Sequence, residues 1–207
     1  MSRRTLLLLS LVVWASVFSS ACQPAPPPFE CTDAIGCVDI PPGEALKLGV
    51  IQDFSGGAAV AGAEQSQIIE LALDRRDDQL LGHPIELQSE DERCLAEGGT
   101  IAALKVVADP QVVAILGTTC SGTAMTAARA MSEAGLVMVS GANAAPSLTA
   151  IGGERGADWQ PGYFRTSLNG LEQAQAAAVF AFQELGLTQA ATINDGDSFT
   201  QGFTSVF

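Results

Sequence analysis

From Leu46 onward, short apolar runs alternate with stretches of helical period, and no other feature of the sequence constrains the fold as tightly. KLGVIQDF is a mostly apolar run that ends in the glycine-rich SGGAAVAG, and EQSQIIELALDRRDD follows with a helical pattern. HPIELQSED alternates at period two through Ile85 and Leu87. LAEGGTIAALKVVAD reads as a second helix with Ile101, Leu104 and Ala108 on one face. VVAIL at 112–116 is continuously apolar, as a strand buried on both faces must be. SGTAMTAARAMSEAG is an alanine-rich helix closed by Gly135, and LVMVSG at 136–141 is another strand. Strand and helix taking turns in this way predict an α/β fold, a doubly wound parallel sheet flanked by helices.

Beyond that sheet, SGANAAPSLTAIGG reads as a turn-rich loop, and YFRTSLNG crosses to a long helix, LEQAQAAAVFAFQELG. AATIND then reads as a strand and SFTQGFTSVF as the opening turns of a helix. A lone strand needs neighbours to pair with. The expected organisation is a first lobe over 46–166 and, over 167–207, a second lobe only begun, as in a chain truncated at its C-terminus.

The N-terminus reads MSRRTLLLLSLVVWASVFSSAC: Arg3 and Arg4, an apolar run too short to span a bilayer comfortably, and small residues leading to Cys22. Residues 1–21 are expected to be an export signal, and SSAC resembles a lipobox, with Cys22 as the lipidation site. SRRTLL also resembles a twin-arginine signal. The proline-rich 22–45 reads as a tether. The remaining cysteines, Cys31, Cys37, Cys94 and Cys120, are even in number, as suits an oxidising compartment. They allow three pairings; Cys31 with Cys37 would close a small loop in the tether, and Cys94 with Cys120 a longer one across two strand ends. The formal net charge is −13, and the signal holds two of the ten basic residues and no acidic one. Such acidity argues against nucleic acid and anionic lipid surfaces as partners.

In a parallel sheet, ligands collect beyond the carboxyl ends of the strands. The segments expected there, 53–62, 119–123 and 140–146, are crowded with Gly, Ala and Ser, which let a ligand approach the backbone. Helix starts at such places favour a carboxylate or phosphate. Ser121 offers a hydroxyl at one of them, as a helix cap, a ligand contact or both. Catalytic signatures fail. GxSxG is absent around Ser121, GxGxxG and a P-loop lysine are absent, and the one histidine, His83, sits at a strand start remote from those ends. No CxxC pair exists for a metal, and the acidic SEDE at 89–92 reads as a solvated strand end. Cys120 has no base, so it reads as structural; neither enzyme activity nor a cofactor is expected.

Taken in order, LKLGVIQDFSGGAAVAG, SEDERC, AILGTTCSGTA, LVMVSGANAAPSLT, YFRTSLN and ATINDGDSFTQG resemble the type I periplasmic solute-binding proteins, in the branched-chain amino-acid (leucine)-binding group. The resemblance implies two doubly wound lobes that close on a ligand, and a disulfide between Cys94 and Cys120. It places the ligand set on Ser121 and Gly122 for the carboxylate, on Ala142 and Ala144 in the loop after the next strand, on Ala61, and on Phe199 in the second lobe. Ala144 stands where the family usually has threonine, and Ala61 where an aromatic residue is common. The implied protein is the lipid-anchored binding component of an ABC importer in the bacterial envelope. Its implied partners are a small carboxylate such as an amino acid and a membrane permease. A tethered sensor domain, or an envelope enzyme with its catalytic residues elsewhere, are the alternatives.

Replacing Cys22 with Ser should move the protein from the membrane fraction to the soluble one; a wild-type protein that is already soluble after cell fractionation refutes the lipid anchor.

Overall fold

The computed structural model describes residues 30–33 and 36–207. The expected signal, Cys22 and residues 22–29 of the tether lie outside the described residues. The strands are β1 (Leu46–Gln52), β2 (Gln79–Leu80), β3 (His83–Asp91), β4 (Val112–Gly117), β5 (Val137–Ser140), β6 (Ala150–Ile151), β7 (Glu154–Arg155) and β8 (Tyr163–Arg165). The helices are α1 (Ala59–Asp74), α2 (Ala96–Val107), α3 (Ser121–Glu133), α4 (Gly170–Val179) and α5 (Ser198–Val206).

Six strands form one sheet in the order β2-β3-β1-β4-β5-β8, and β6 and β7 form a separate hairpin. Every pairing in the large sheet is parallel except β2 with β3. This is the doubly wound α/β architecture that the alternating pattern predicts. From β1 the chain moves to one neighbour, β3, and then steps across to β4, β5 and β8 on the other side. Right-handed crossovers therefore put α1 on one face and α2 with α3 on the other. Ile51, Val106, Ile115, Met131, Met138 and Leu148 are fully buried and make the core between sheet and helices.

The amino ends of the strands are tied by polar pairs. Lys47 Nζ reaches Asp109 Oδ2 at 2.7 Å, and Gln111 Nε2 donates to Glu44 Oε2 at 2.8 Å. His83 Nδ1 lies 2.9 Å from the Glu44 carbonyl, at the start of β3. Both disulfides form: Cys31–Cys37, with Cα atoms 5.7 Å apart, and Cys94–Cys120, at 5.3 Å.

Three segments differ from the sequence reading. On α2 the buried face is Gly98, Gly99, Ala102, Ala103 and Val106, while Ile101 and Leu104 remain 56% and 54% exposed. The reason is close approach. A Cβ on Gly98 would lie 2.0 Å from the Glu92 carbonyl oxygen, and one on Gly99 would lie 2.5 Å from that of Thr123 in α3. Small residues let the helix sit against backbone, and bulkier ones are turned outward. Second, Tyr163–Arg165 is not only a crossing but the sixth strand, pairing Met138 with Tyr163 and Ser140 with Arg165. Third, AATIND forms no strand: residues 191–195 join no ladder and Ile193 is 94% exposed. An extended segment with no partner strand among the described residues has nowhere to place its backbone hydrogen bonds except water.

The tightest helix-to-backbone contact is at Gly62 of α1, where an added Cβ would lie 1.9 Å from the Asp53 carbonyl oxygen. Gly62→Ala should cost about 3 kcal/mol or more by overpacking, measured as a lowered midpoint in urea unfolding; an unchanged midpoint would mean that α1 is free to move off the end of β1.

Candidate functional site

The strand order reverses beside β1, so the crevice of such a sheet opens at the carboxyl ends of β1 and β4. Five buried or half-buried polar residues build it: Gln52, Asp53, Glu92, Thr119 and Asn143. Asp53, directly after β1, accepts from the amides of Gly56 at 2.5 Å and Ala58 at 2.7 Å, which folds the glycine-rich loop back toward the start of α1. Its own amide donates to Thr119 Oγ1 at 3.0 Å. The Thr119 hydroxyl in turn donates to Gln52 Oε1 at 2.7 Å. The ends of β1 and β4 are thereby stitched together through side chains.

Glu92 is the least expected member. SEDE reads in sequence as a solvated strand end, yet Glu92 is fully buried. Its Oε1 accepts from the amides of Thr119 at 3.0 Å and Cys120 at 2.8 Å, and its Oε2 lies 2.5 Å from Thr123 Oγ1. Burial pushes its carboxyl up to about 7, against those three hydrogen bonds and with help from the negative charge of Asp53. Thr123 Oγ1 also lies 2.5 Å from the Cys120 carbonyl. One hydroxyl proton cannot serve both acceptors, so a protonated Glu92 supplies the missing one. The Cys94–Cys120 disulfide closes the same junction covalently. Asp53 lies within 4.8 Å of both sulfurs, but they are spent on each other and the Asp53 oxygens on amides, so this trio is not a metal site.

Asn143, which no motif flagged, is buried beneath the loop after β5. Its Nδ2 donates to the carbonyls of Thr118 at 3.0 Å and Thr119 at 3.2 Å. Its Oδ1 accepts from Tyr163 Oη at 3.0 Å and from Thr118 Oγ1 at 3.2 Å. Arg165 and the Ser167 hydroxyl both donate to its carbonyl. One side chain and its backbone thus join the ends of β4, β5 and β8. The only local signal in sequence was a lone amide in a run of small residues.

Ser121 is 4% exposed and does not cap its own helix. Its Oγ instead accepts from the amides of Ala144 and Ala145, each at 3.2 Å. Both lone pairs are then in use, and the hydroxyl proton is the group left to donate. The Ala142 amide donates to Ser140 Oγ at 3.2 Å, so the amides of Ala142 and Ala144 are both engaged inside the protein. Gly122 faces the start of α5: a Cβ there would lie 3.6 Å from Asp197 Oδ2 and from Ser198 Oγ. Ala61 is exposed, and its carbonyl accepts from Gln65 Nε2 at 3.2 Å. Phe199 touches Gly170, whose amide donates to the Ala144 carbonyl at 2.8 Å, so α5 stands beside the same mouth. The Phe199 ring also lines a cavity of about 420 Å³ with Ile193, Phe203 and Phe207.

What the mouth offers is a buried hydroxyl with its proton free, at the start of a 13-residue helix whose dipole is positive there. Ser121 has no base beside it, because the groups that meet its oxygen are amide donors. The arrangement suits holding an anionic group.

The sequence profile described as periplasmic binding protein matches residues 45–206. The Leu/Ile/Val-binding protein BraC3 of Rhizobium johnstonii is 26% identical over 164 residues, covering 78% of this chain and 42% of that protein. Among solved structures, a leucine-binding protein, LivK, of Thermotoga maritima superimposes with a TM-score of 0.71 at 24% identity, over 79% of this chain and 44% of that one. A solute-binding protein of an ABC transporter from Rhodopseudomonas palustris, solved in complex with benzoate, gives 0.66 at 25% identity, over 79% and 44%. The chain spans less than half the length of each of these relatives.

Above pH 7 the buried charge of Glu92 works against folding. Its folded value of about 7 lies above the ordinary 4.5, so its contribution is favourable at low pH and is lost as pH rises from 4.5 through 7. In Glu92→Gln the Oε1 keeps the two amides and the Nε2 donates to Thr123. The stability of this variant relative to wild type should therefore rise by up to about 3 kcal/mol between pH 5 and pH 8, read from denaturant unfolding at each pH; a difference that stays flat would show that Glu92 is not titrating there.

Proposed function

The chain belongs to the periplasmic binding protein family, and we propose that it is the substrate-binding component of an ABC importer, capturing a small carboxylate such as an amino acid. The observation that carries this reading is Ser121. Its oxygen is saturated by the amides of Ala144 and Ala145, and its proton is left to donate at the start of α3. A carboxylate is the natural acceptor for such a donor. The ligands in the names of the similar proteins agree: leucine and its branched relatives, and benzoate, have a carboxylate in common and little else.

Gly122, Ala142 and Ala144 bound the pocket on the sheet side. Their lack of bulk lets the carboxylate come close to backbone. Ala61 leaves room on the α1 side for the rest of the ligand, and Phe199, beside Gly170, supplies an apolar surface from α5. The protein is exported to the bacterial envelope and anchored through a lipid on Cys22, where it delivers the ligand to a membrane permease. It binds and releases without turnover, and it uses no cofactor.

Ser121→Ala should weaken binding of small carboxylates by about 1–3 kcal/mol, the usual cost of losing a hydrogen bond to a charged group. Calorimetric titration against L-leucine, L-phenylalanine and benzoate tests this, with circular dichroism to confirm the fold. Unchanged affinity in a folded variant would reduce Ser121 to a bracket for the loop after β5 and remove the basis of the carboxylate reading.

A further inference from the structure

Gln65 of α1 reaches across the mouth to the turn between β4 and α3. Its Nε2 lies 3.2 Å from the Ala61 carbonyl and 3.4 Å from Thr119 Oγ1. Chemistry fixes which end of the amide lies there. Thr119 has already committed its hydroxyl proton to Gln52 Oε1 at 2.7 Å, so its oxygen can only receive. The Ala61 carbonyl can only receive as well. Two acceptors at one end require the nitrogen there, and the Gln65 carbonyl oxygen must point the other way. On that side stands Gly141, the exposed first residue after β5, and the nearest heavy atom to a Cβ built on it is Gln65 Oε1, at 3.9 Å. No side chain of residue 141 intervenes. Among the described residues no donor meets this oxygen.

The mouth therefore presents two unmatched groups of opposite kind on either side of the β4–α3 turn: the proton of Ser121 and the carbonyl oxygen of Gln65. We propose that Gln65 is a specificity-determining residue whose side-chain oxygen accepts a hydrogen bond from an amino or hydroxyl group on the ligand. The site then selects carboxylates that carry such a donor over carboxylates that lack one. This rests on the reading of Ser121 as the carboxylate donor and adds the ligand class. A neutral amide oxygen suits this task in a mouth that already holds the Asp53 carboxylate and the buried Glu92 carboxyl, because it adds an acceptor without adding charge.

The test uses matched probes and the full chain: L-leucine against 4-methylpentanoate, and L-phenylalanine against 3-phenylpropanoate, each titrated by calorimetry into wild type, Gln65→Leu and Gln65→Glu. Gln65 lies on the helix surface and is only half-buried, so neither variant removes core packing. Wild type should bind the amino acid at least tenfold tighter than its deaminated partner. Gln65→Leu should collapse that ratio toward one while the deaminated acids keep their affinity within about twofold. Gln65→Glu should widen it, because the added charge favours the ammonium. A ratio unchanged in Gln65→Leu, or already near one in wild type, overturns the role of Gln65 and leaves carboxylate capture standing. Binding of none of the four probes overturns both.

Discussion

A carboxyl group taken out of water among strand ends holds its place only if donors meet its oxygens, and the carboxyl end of this sheet is organised around one such group. Glu92 gathers the amides of Thr119 and Cys120 and the hydroxyl of Thr123, all from the turn and first residues of α3. It thereby fixes the start of α3 against the end of β3. The Cys94–Cys120 disulfide joins the same two elements, and α2 begins immediately beside them with Gly98 pressed on the Glu92 carbonyl. Ser121 is where it is because Cys120 is where it is. The shortage of protons between Glu92, Thr123 and the Cys120 carbonyl makes the neutral acid the better fit, in agreement with its raised value.

Around that junction the mouth is assembled almost entirely from neutral donors and acceptors. Asn143 joins three strand ends, Thr119 joins β1 to β4, and Ser121 holds the loop after β5 through two amides. Bonds this short between backbone and side chain need backbone segments very near one another. That explains the concentration of Gly and Ala in 53–62, 119–123 and 140–146. A side chain at Gly56 or Gly62 would hold the segments apart, since its Cβ would lie 2.5 Å from the Arg93 carbonyl oxygen or 1.9 Å from that of Asp53. Among the described residues the Ser121 proton and the Gln65 oxygen are left without a protein partner at the mouth, and the proposed ligand chemistry follows from them.

The part of the chain from α4 onward is held by different means. It meets the sheet through small contacts: Gly170 on the Ala144 carbonyl, Gly202 on Pro146, and the start of α5 over Gly122. Its large apolar side chains are mostly in solvent, with Val179, Phe180, Phe182 and Ile193 each more than half exposed. Only Gly170 and Ala174 of α4 are buried, and none of α5 is. These 38 residues of helix and loop therefore add a wall to the mouth without building a core of their own.

Much of the architecture was legible in sequence, because local period reports which faces of an element are apolar. The bounds of β3, the run of β4, the start of α3 at Ser121 and its close at Gly135 all follow from pattern and punctuation. The even cysteine count, joined to the family resemblance, also led to the two bridges that form. Period misled on α2, where Ile101 and Leu104 marked an apolar stripe but backbone proximity selected the glycine and alanine face for burial. It misled again at AATIND, because a strand exists only through a partner, and at Tyr163–Arg165, because a partner was waiting there. The polar frame was invisible for a related reason. Whether Glu92, Asn143 or Gln65 is solvated or engaged depends on partners distant in the chain, such as Thr119 for Glu92, Thr118 for Asn143 and Thr119 for Gln65, which lie 27, 25 and 54 positions away. The sequence by itself determined that strands and helices alternate and which small residues crowd the turns. The tertiary structure alone decided which polar atoms those turns would satisfy and which they would leave facing outward, since hydrogen-bond partners far apart in the chain meet only once the sheet has closed.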